Sequence, residues 1–367
     1  MNKKGFALGV IILVIIILGV IGAQKIFKKN TATTTIYGAV GGGKENLLED
    51  EEFLKILKKY KINVVNDSWS NGKLVVKDVV RTNGDKYDFI FFSDQRFYDY
   101  YKTAPTGEEA NRYSVKKGSL TLNTPVVIYS WDEVTDALIN ENIVTEKDGV
   151  YYITDMNKLL NYILEGKTWK DIGLTSLYGK INIDSTDPVT SSPGATYYGL
   201  VASIMAGGTL TDENIGEILP KLKEFYKKSG YMNNTPADLF QLYLQTGMGA
   251  KPMIVDYEKS IIDFANSNPD GYSKVKDRIR ILYPVPTIWN SHCIATLSDN
   301  GNRYYDVFED INVQKIAWSK YGFRTGVTGG NYDVSDVNVA GLPQSIDAAV
   351  SSLKMIYYNQ MIDYLKK

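Results

Sequence analysis

Ser185, Thr186, Asp187, Ser191 and Ser192 place five hydroxyl or carboxyl groups within eight residues, just ahead of an apolar stretch containing Leu200, Val201, Ile204 and Met205. At a helix start, such side chains stand beside free backbone N–H groups and the positive end of the helix dipole, a combination suited to a polar or anionic ligand. One of the five is needed as an N-cap, but five exceed what a single cap requires, so part of the cluster is expected to contact a ligand. A second candidate is Gly41-Gly42-Gly43-Lys44, a glycine turn opening a helix. It either holds a carboxylate or oxyanion on its backbone N–H groups or is a plain tight turn. It matches neither GxxxxGK[ST] nor GxGxxG, which argues against nucleotide binding.

Two further pairs close apolar, strand-like runs. Ser93 and Asp94 follow Tyr87-Asp88-Phe89-Ile90-Phe91-Phe92, and Tyr257 and Glu258 follow Pro252-Met253-Ile254-Val255-Asp256. Ligands of open α/β sheets bind at the C-terminal ends of strands, which makes all four candidates. Tyr257 could stack on a ligand or hydrogen-bond to it. Asp94 could instead start the following helix, and Glu258 could be an ordinary first-turn acid.

The catalytic chemistries are thinly represented. His292 and Cys293 are the sole histidine and cysteine, and adjacent strand residues face opposite ways, so a nucleophile–base pair is not expected. One Cys and one His exclude a disulfide and a Cys/His zinc site, and no metal or other cofactor is expected. No GxSxG is present. No residue is assigned a catalytic role, and the chain is expected to bind rather than transform its ligand. A carboxylate-dependent surface hydrolase and a surface adhesion or assembly protein remain as alternatives.

These candidates have to be positioned by a chain of 367 residues, 44% hydrophobic and 23% charged, which suits two α/β lobes. Beyond residue 29 there are 36 basic and 42 acidic side chains, so the body is mildly acidic and carries no footprint for nucleic acid. Gly5 to Gln24 is uncharged over 20 residues, enough at about 1.5 Å per residue to cross roughly 30 Å of hydrocarbon. Residues 1–29 are therefore expected to be a transmembrane anchor or signal, retained more readily than cleaved because Ile21 spoils a site after Ala23. Residues 30–34 form a linker, and the body is placed outside the cell or in the periplasm as a single-pass membrane protein.

Within the body, strands are expected at 35–40, 62–65, 87–92, 124–129, 180–183, 252–255, 280–283 and 293–297. Helices are expected at 44–60, 131–140, 156–165, 194–206, 212–228, 235–245, 258–266 and 345–365, with a turn at 298–302. Alternation of strands and helices predicts mainly parallel sheets. Pro284 to Pro286 must be extended, which makes segments near 124 and 284 the candidate crossings between lobes.

The stretch Asp184-Ser185-Thr186-Asp187-Pro188-Val189-Thr190-Ser191-Ser192-Pro193-Gly194 resembles the cleft helix start of the type II periplasmic binding proteins, the bacterial extracellular solute-binding family. Tyr87 to Asp94, Pro125 to Ile128, Val255 to Glu258 and Pro286-Thr287-Ile288-Trp289 are similar to further segments of that family in the same order. The resemblance implies a two-lobed α/β fold with a two-strand hinge: lobe 1 from 35–124, lobe 2 from 125–284, and a return to lobe 1 with a C-terminal helix over 285–367. It also implies a small-molecule solute in the interlobe cleft, adds Thr287 on the return crossing to the ligand-binding candidates, and suggests an ABC-type permease or another membrane partner.

Overall fold

The computed structural model describes residues 32–70, 86–103, 114–230, 232, 235–327 and 332–367. The expected anchor at 1–29 and the start of the linker lie outside them; among the described residues no helix is long and apolar enough to cross a membrane.

The strands are β1 (Thr34–Val40), β2 (Ile62–Ser68), β3 (Phe89–Phe92), β4 (Lys117–Trp131), β5 (Val144–Lys147), β6 (Val150–Ile153), β7 (Met253–Tyr257), β8 (Ile279–Pro284), β9 (Thr287–Thr296), β10 (Arg324–Thr325) and β11 (Ala349–Val350). The helices are α1 (Glu45–Leu48), α2 (Glu51–Lys59), α3 (Gln95–Thr103), α4 (Asp132–Asn140), α5 (Met156–Glu165), α6 (Ser192–Met205), α7 (Ile215–Lys228), α8 (Pro236–Thr246), α9 (Lys259–Ser267), α10 (Pro269–Val275), α11 (Asp299–Phe308), α12 (Ile311–Tyr321) and α13 (Met355–Lys366).

One long strand organises the molecule. The first part of β4, Lys117 to Pro125, pairs with β9 in a sheet ordered β2-β1-β3-β9-β4-β10. Its second part, Val126 to Trp131, lies between β7 and β8 in another sheet, which continues through β6 to β5. The chain returns from the second sheet to the first where β8 runs into β9 through the cis Val285–Pro286 bond. The two passages lie side by side, and the Thr287 hydroxyl donates to the Val126 carbonyl at 2.6 Å.

The expectation of mainly parallel sheets is corrected. β2–β1, β1–β3, β6–β8 and β11–β9 are parallel, but β3–β9, β9–β4, β10–β4, β4–β7, β4–β8 and β5–β6 are antiparallel. The two connecting passages run in opposite directions, so the sheet around them cannot be parallel throughout.

β3 shows why the sheet is covered on both faces. Phe89 and Phe91 enter a core with Leu47, Phe53, Tyr304 and Phe308, while Ile90 and Phe92 enter another with Phe97, Tyr98 and Cys293. Alternation puts successive side chains on opposite faces, so four consecutive apolar residues require packing on both. All four are fully buried, each stabilising by about 1.5–3 kcal/mol relative to exposure.

Several boundaries differ from expectation for identifiable local reasons. The single helix expected over 44–60 is broken into α1 and α2 because Asp50 is extended and accepts from the N–H groups of Glu52 (2.8 Å) and Phe53 (3.1 Å), an N-cap inside the apolar pattern. The turn expected at 298–302 is the start of α11, capped by the Ser298 hydroxyl accepting from Gly301 N–H at 3.1 Å. Gly301 is there for close approach: a Cβ would meet the Asp88 carbonyl oxygen at 2.0 Å. The strand expected at 180–183 is reduced to bridges Thr168–Lys180 and Asp184–Ile254. The last helix begins only at Met355, after β11 has paired with Thr287 and Ile288.

Candidate functional site

A cavity of about 1260 Å³ opens between the two sheets beside the paired passages. From the first sheet it is lined by Gly42 and Gly43 after β1, Ser93 after β3, and Asn290 and His292 on β9. From the second it is lined by Ser191 and Ser192 at the start of α6, Asp256 and Tyr257 at the end of β7, and Lys259 at the start of α9. Strand ends and helix starts thus converge from both sides.

The first turn of α6 offers the backbone N–H groups of Ser192 and Gly194, Pro193 between them having none. Ser191 occupies the N-cap position in extended conformation, yet its side chain caps nothing; its hydroxyl donates to the Thr186 hydroxyl at 2.9 Å. Asp187 closes the preceding turn, accepting from Val189 N–H at 2.9 Å and from the Tyr226 hydroxyl at 3.3 Å. Thr186 and Asp187 therefore shape the loop and are absent from the cavity lining, whereas Ser191, Ser192 and Pro193 line it. The loop packs against the helix so closely that a Cβ on Gly194 would stand 2.2 Å from the Thr186 carbonyl oxygen.

The glycine turn is arranged differently from the expected anion cradle. Gly43, at φ +87°, donates its N–H to both carboxylate oxygens of Glu45 at 3.0 and 2.8 Å, so the chain's own acid fills that position. Lys44 is buried: its ammonium donates to the Gly41 carbonyl, lies 3.4 Å from the Gly42 and Phe91 carbonyls, and stands 4.6 Å from the Phe91 ring centre. Burial pulls its pKa down to about 7, against the opposing pull of Glu45. Gly42 and Gly43 reach the cavity; Lys44 does not line it.

Asp94 and Glu258 are likewise not in the lining. Asp94 accepts from Arg96 Nε at 3.0 and 3.1 Å and from Nη2, and that Nη2 also donates to Thr196 of α6 at 3.0 Å. Glu258, 0% exposed, takes a bidentate pair from Arg324, Nε at 2.6 Å and Nη2 at 2.7 Å, and a hydrogen bond from the Tyr283 hydroxyl at 2.6 Å. Thr287 spends its hydroxyl on the Val126 carbonyl. In each case a polar side chain at a strand end satisfies a buried partner instead of facing the cavity, an arrangement that sequence spacing does not reveal.

Of the twelve candidates, Gly42, Gly43, Ser93, Ser191, Ser192 and Tyr257 are brought together around the cavity. Burial raises the Tyr257 phenol well above its usual range, with Asp94 adding to the shift, so it is a neutral donor and acceptor.

The sequence did not single out Asp256, Lys259, Asn290 or the aromatic walls, which include Phe97, Tyr100, Phe240 and Tyr358. His292, expected to be structural, faces the cavity with its neighbour Asn290, whose Nδ2 is 3.2 Å from Nε2; Nδ1 has no partner. Burial lowers its pKa well below the usual range, and Lys44 and Lys259 push it the same way, so the ring is neutral. Cys293 packs in the core on the opposite face, where burial pushes its thiol upward. Asp256 carried one available signal, a charged residue at the end of an otherwise apolar strand beside Tyr257.

Among the described residues there is no group of three or more His, Cys, Asp or Glu able to hold a metal ion.

No protein-family model matches the chain, and no curated protein does either. Solved structures do match. A crystallised ABC transporter protein from Clostridium perfringens is 15% identical, with 90% of this chain and 98% of that one covered and a TM-score of 0.57. A candidate extracellular solute-binding protein from Bordetella parapertussis is 13% identical over 90% of this chain and 97% of its own, with a TM-score of 0.58. IdiA (FutA) from Trichodesmium, solved with iron and citrate, is 12% identical over 91% and 98%, with a TM-score of 0.57. The chain therefore has the mixed α/β fold of the type II, periplasmic-binding-protein-like solute-binding proteins.

Proposed function

We propose that this protein is an extracytoplasmic solute-binding protein that captures a small ligand, without transforming it, in the cleft between two lobes. The lobes comprise residues 35–124 with 285–367, and residues 125–284. Residues 1–29 tether the body to the membrane, where it delivers its solute to an ABC-type permease or passes a signal to another membrane partner.

The observation that carries this function is the cavity itself. It lies between two sheets joined by two adjacent passages, β4 and the β8–β9 link, and it is lined from both sheets. Rotation about two adjacent, antiparallel connections closes such a cleft without breaking either core. Its volume of about 1260 Å³ exceeds the roughly 300–1,000 Å³ of ordinary ligand pockets, as fits a cleft that narrows on closure. The uncapped N-terminus of α6 supplies backbone donors and a positive dipole end for a carboxylate or oxyanion on the ligand, with the Ser192 hydroxyl beside it.

Calorimetry and thermal melting of the full-length chain in detergent, against amino acids, amines, sugars, oxyanions and short peptides, tests this function. A ligand at about 100 times its dissociation constant adds roughly 2.7 kcal/mol of stability, and scattering should show a smaller radius of gyration. The absence of any binding across the set would reject the proposal.

A further inference from the structure

Three acids are buried in the described structure: Asp94, Asp256 and Glu258. Asp94 and Glu258 each have an arginine in bidentate contact. Asp256 has none. It is 5% exposed, its Oδ1 accepts from the N–H of Tyr257 at 2.7 Å, and its Oδ2 has no hydrogen-bond partner. The Ser260 hydroxyl stands near it without a hydrogen bond of ordinary geometry. The adjacent Lys259 places its ammonium 5.0 Å from the Phe323 ring centre and acts on Asp256 through its charge, as the last of the opposing influences on that carboxyl.

A buried carboxylate oxygen left unpaired within the chain is costly, and folded proteins pair such a group with a ligand, an ion or an ordered water. Asp256 is also the one buried acid in the cavity wall. Burial lifts its carboxyl to about 6, with Tyr257 N–H, Ser260 and Lys259 opposing the rise, so it is ionised at neutral pH. Phe240, Tyr257 and Phe264 line the same cavity on its side, with Phe97, Tyr100 and Tyr358 also in the lining. A buried, unpaired carboxylate among aromatic faces, with Asp263 as a second and less buried acid in the lining, is the chemistry that recognises an organic cation, by a charge-assisted hydrogen bond and by cation–π attraction.

We propose that the solute carries an organic ammonium group, which pairs with the Asp256 carboxylate at the end of β7 while aromatic side chains pack around its carbon skeleton. This inference rests on the solute-binding function above and specifies the chemical class of its ligand. A neutral sugar leaves Asp256 unpaired, and an inorganic oxyanion is repelled by it.

The test is calorimetry on the full-length chain at pH 7.5 with two sets of probes. One set bears ammonium groups: choline, glycine betaine, putrescine and lysine. The other lacks them: 3,3-dimethylbutanol, glucose, sulfate and citrate. The expected result is binding from the first set, with the matched neutral analogue at least about 100-fold weaker, and a loss of roughly 30-fold or more on Asp256→Asn. The apo variant should melt no lower than the parent, since a buried unpaired charge has been removed, which separates lost recognition from lost folding. Binding confined to the second set, or ammonium binding unaffected by Asp256→Asn, overturns the inference and leaves the solute-binding function standing. Silence from both sets, extended to the wider library above, overturns the solute-binding function and the inference with it.

Discussion

Glu258→Gln should destabilise the fold while leaving ligand affinity per folded molecule unchanged. Glu258 and Arg324 are 0% and 1% exposed, and two short contacts of 2.6 and 2.7 Å join them. The guanidinium also donates to the Pro343 carbonyl at 2.8 Å, the Gln344 carbonyl at 3.3 Å and the Tyr332 hydroxyl at 2.7 Å, so one buried pair fastens the segment leading to β11 against the strands joining the sheets. An amide at 258 keeps the shape but removes the counter-charge, leaving a buried cation that costs about 3–5 kcal/mol. At about 2.1 cal/mol/K of unfolding entropy per residue, that is a drop of roughly 4–7 °C in Tm if the body unfolds as one unit. Urea titration followed by circular dichroism reads it as a lower midpoint at unchanged slope. Limited proteolysis should also cut the 332–344 segment faster. The double substitution Glu258→Met with Arg324→Met, which removes both charges, should recover most of the loss. A cost below about 1 kcal/mol for the single change, or a double variant as damaged as the single, would refute the reasoning.

Two further outcomes follow from local geometry. Gly194→Ala drives a Cβ against the Thr186 carbonyl oxygen, 2.2 Å away, so it should cost about 1–3 kcal/mol and weaken any ligand held at the start of α6, seen as a lower melting temperature together with a raised Kd; an alanine variant indistinguishable from the parent in both would contradict the close approach. Lys44, lowered by burial from 10.5 to about 7, binds fewer protons folded than unfolded between those values, so stability should climb as pH rises from about 7 towards 10.5. Lys44→Met should flatten that climb in urea midpoints taken at several pH values across the window, and a parent profile with the same slope as the variant would show that this lysine is not responsible.

The elements that could be read from sequence are those whose local pattern and tertiary role agree. β3 is apolar at every position because both faces are covered, and α5 carries its periodic face between an Asp155 cap and Gly166 in the left-handed region. The pattern fails where a long-range partner decides. Asp50 breaks an otherwise continuous apolar face by capping α2, and it also accepts from Lys320 and Tyr321, more than 260 residues away. Gly301 reads as a turn until the Asp88 carbonyl is placed against it. The antiparallel pairing of β4 with β7, β8 and β9 depends on the direction in which the chain re-enters each sheet, which alternation of strand and helix does not encode.

The candidate site divides along the same line. Gly42, Gly43, Ser191 and Ser192 could be found because backbone turns and helix starts are written in consecutive residues, and all four line the cavity. Asp94, Asp256 and Glu258 are all acids at or just beyond strand ends, and nothing local separates them. What separates them is an arginine partner: Arg96 two residues on for Asp94, Arg324 sixty-six residues on for Glu258, and none for Asp256. An acid whose buried charge is already matched within the chain contributes to folding. Asp256, at the cavity, has the Tyr257 N–H on Oδ1, with Ser260 and the charge of Lys259 acting on it, so under the ammonium proposal the arginines, rather than the acids themselves, decide which carboxylate is left for a ligand.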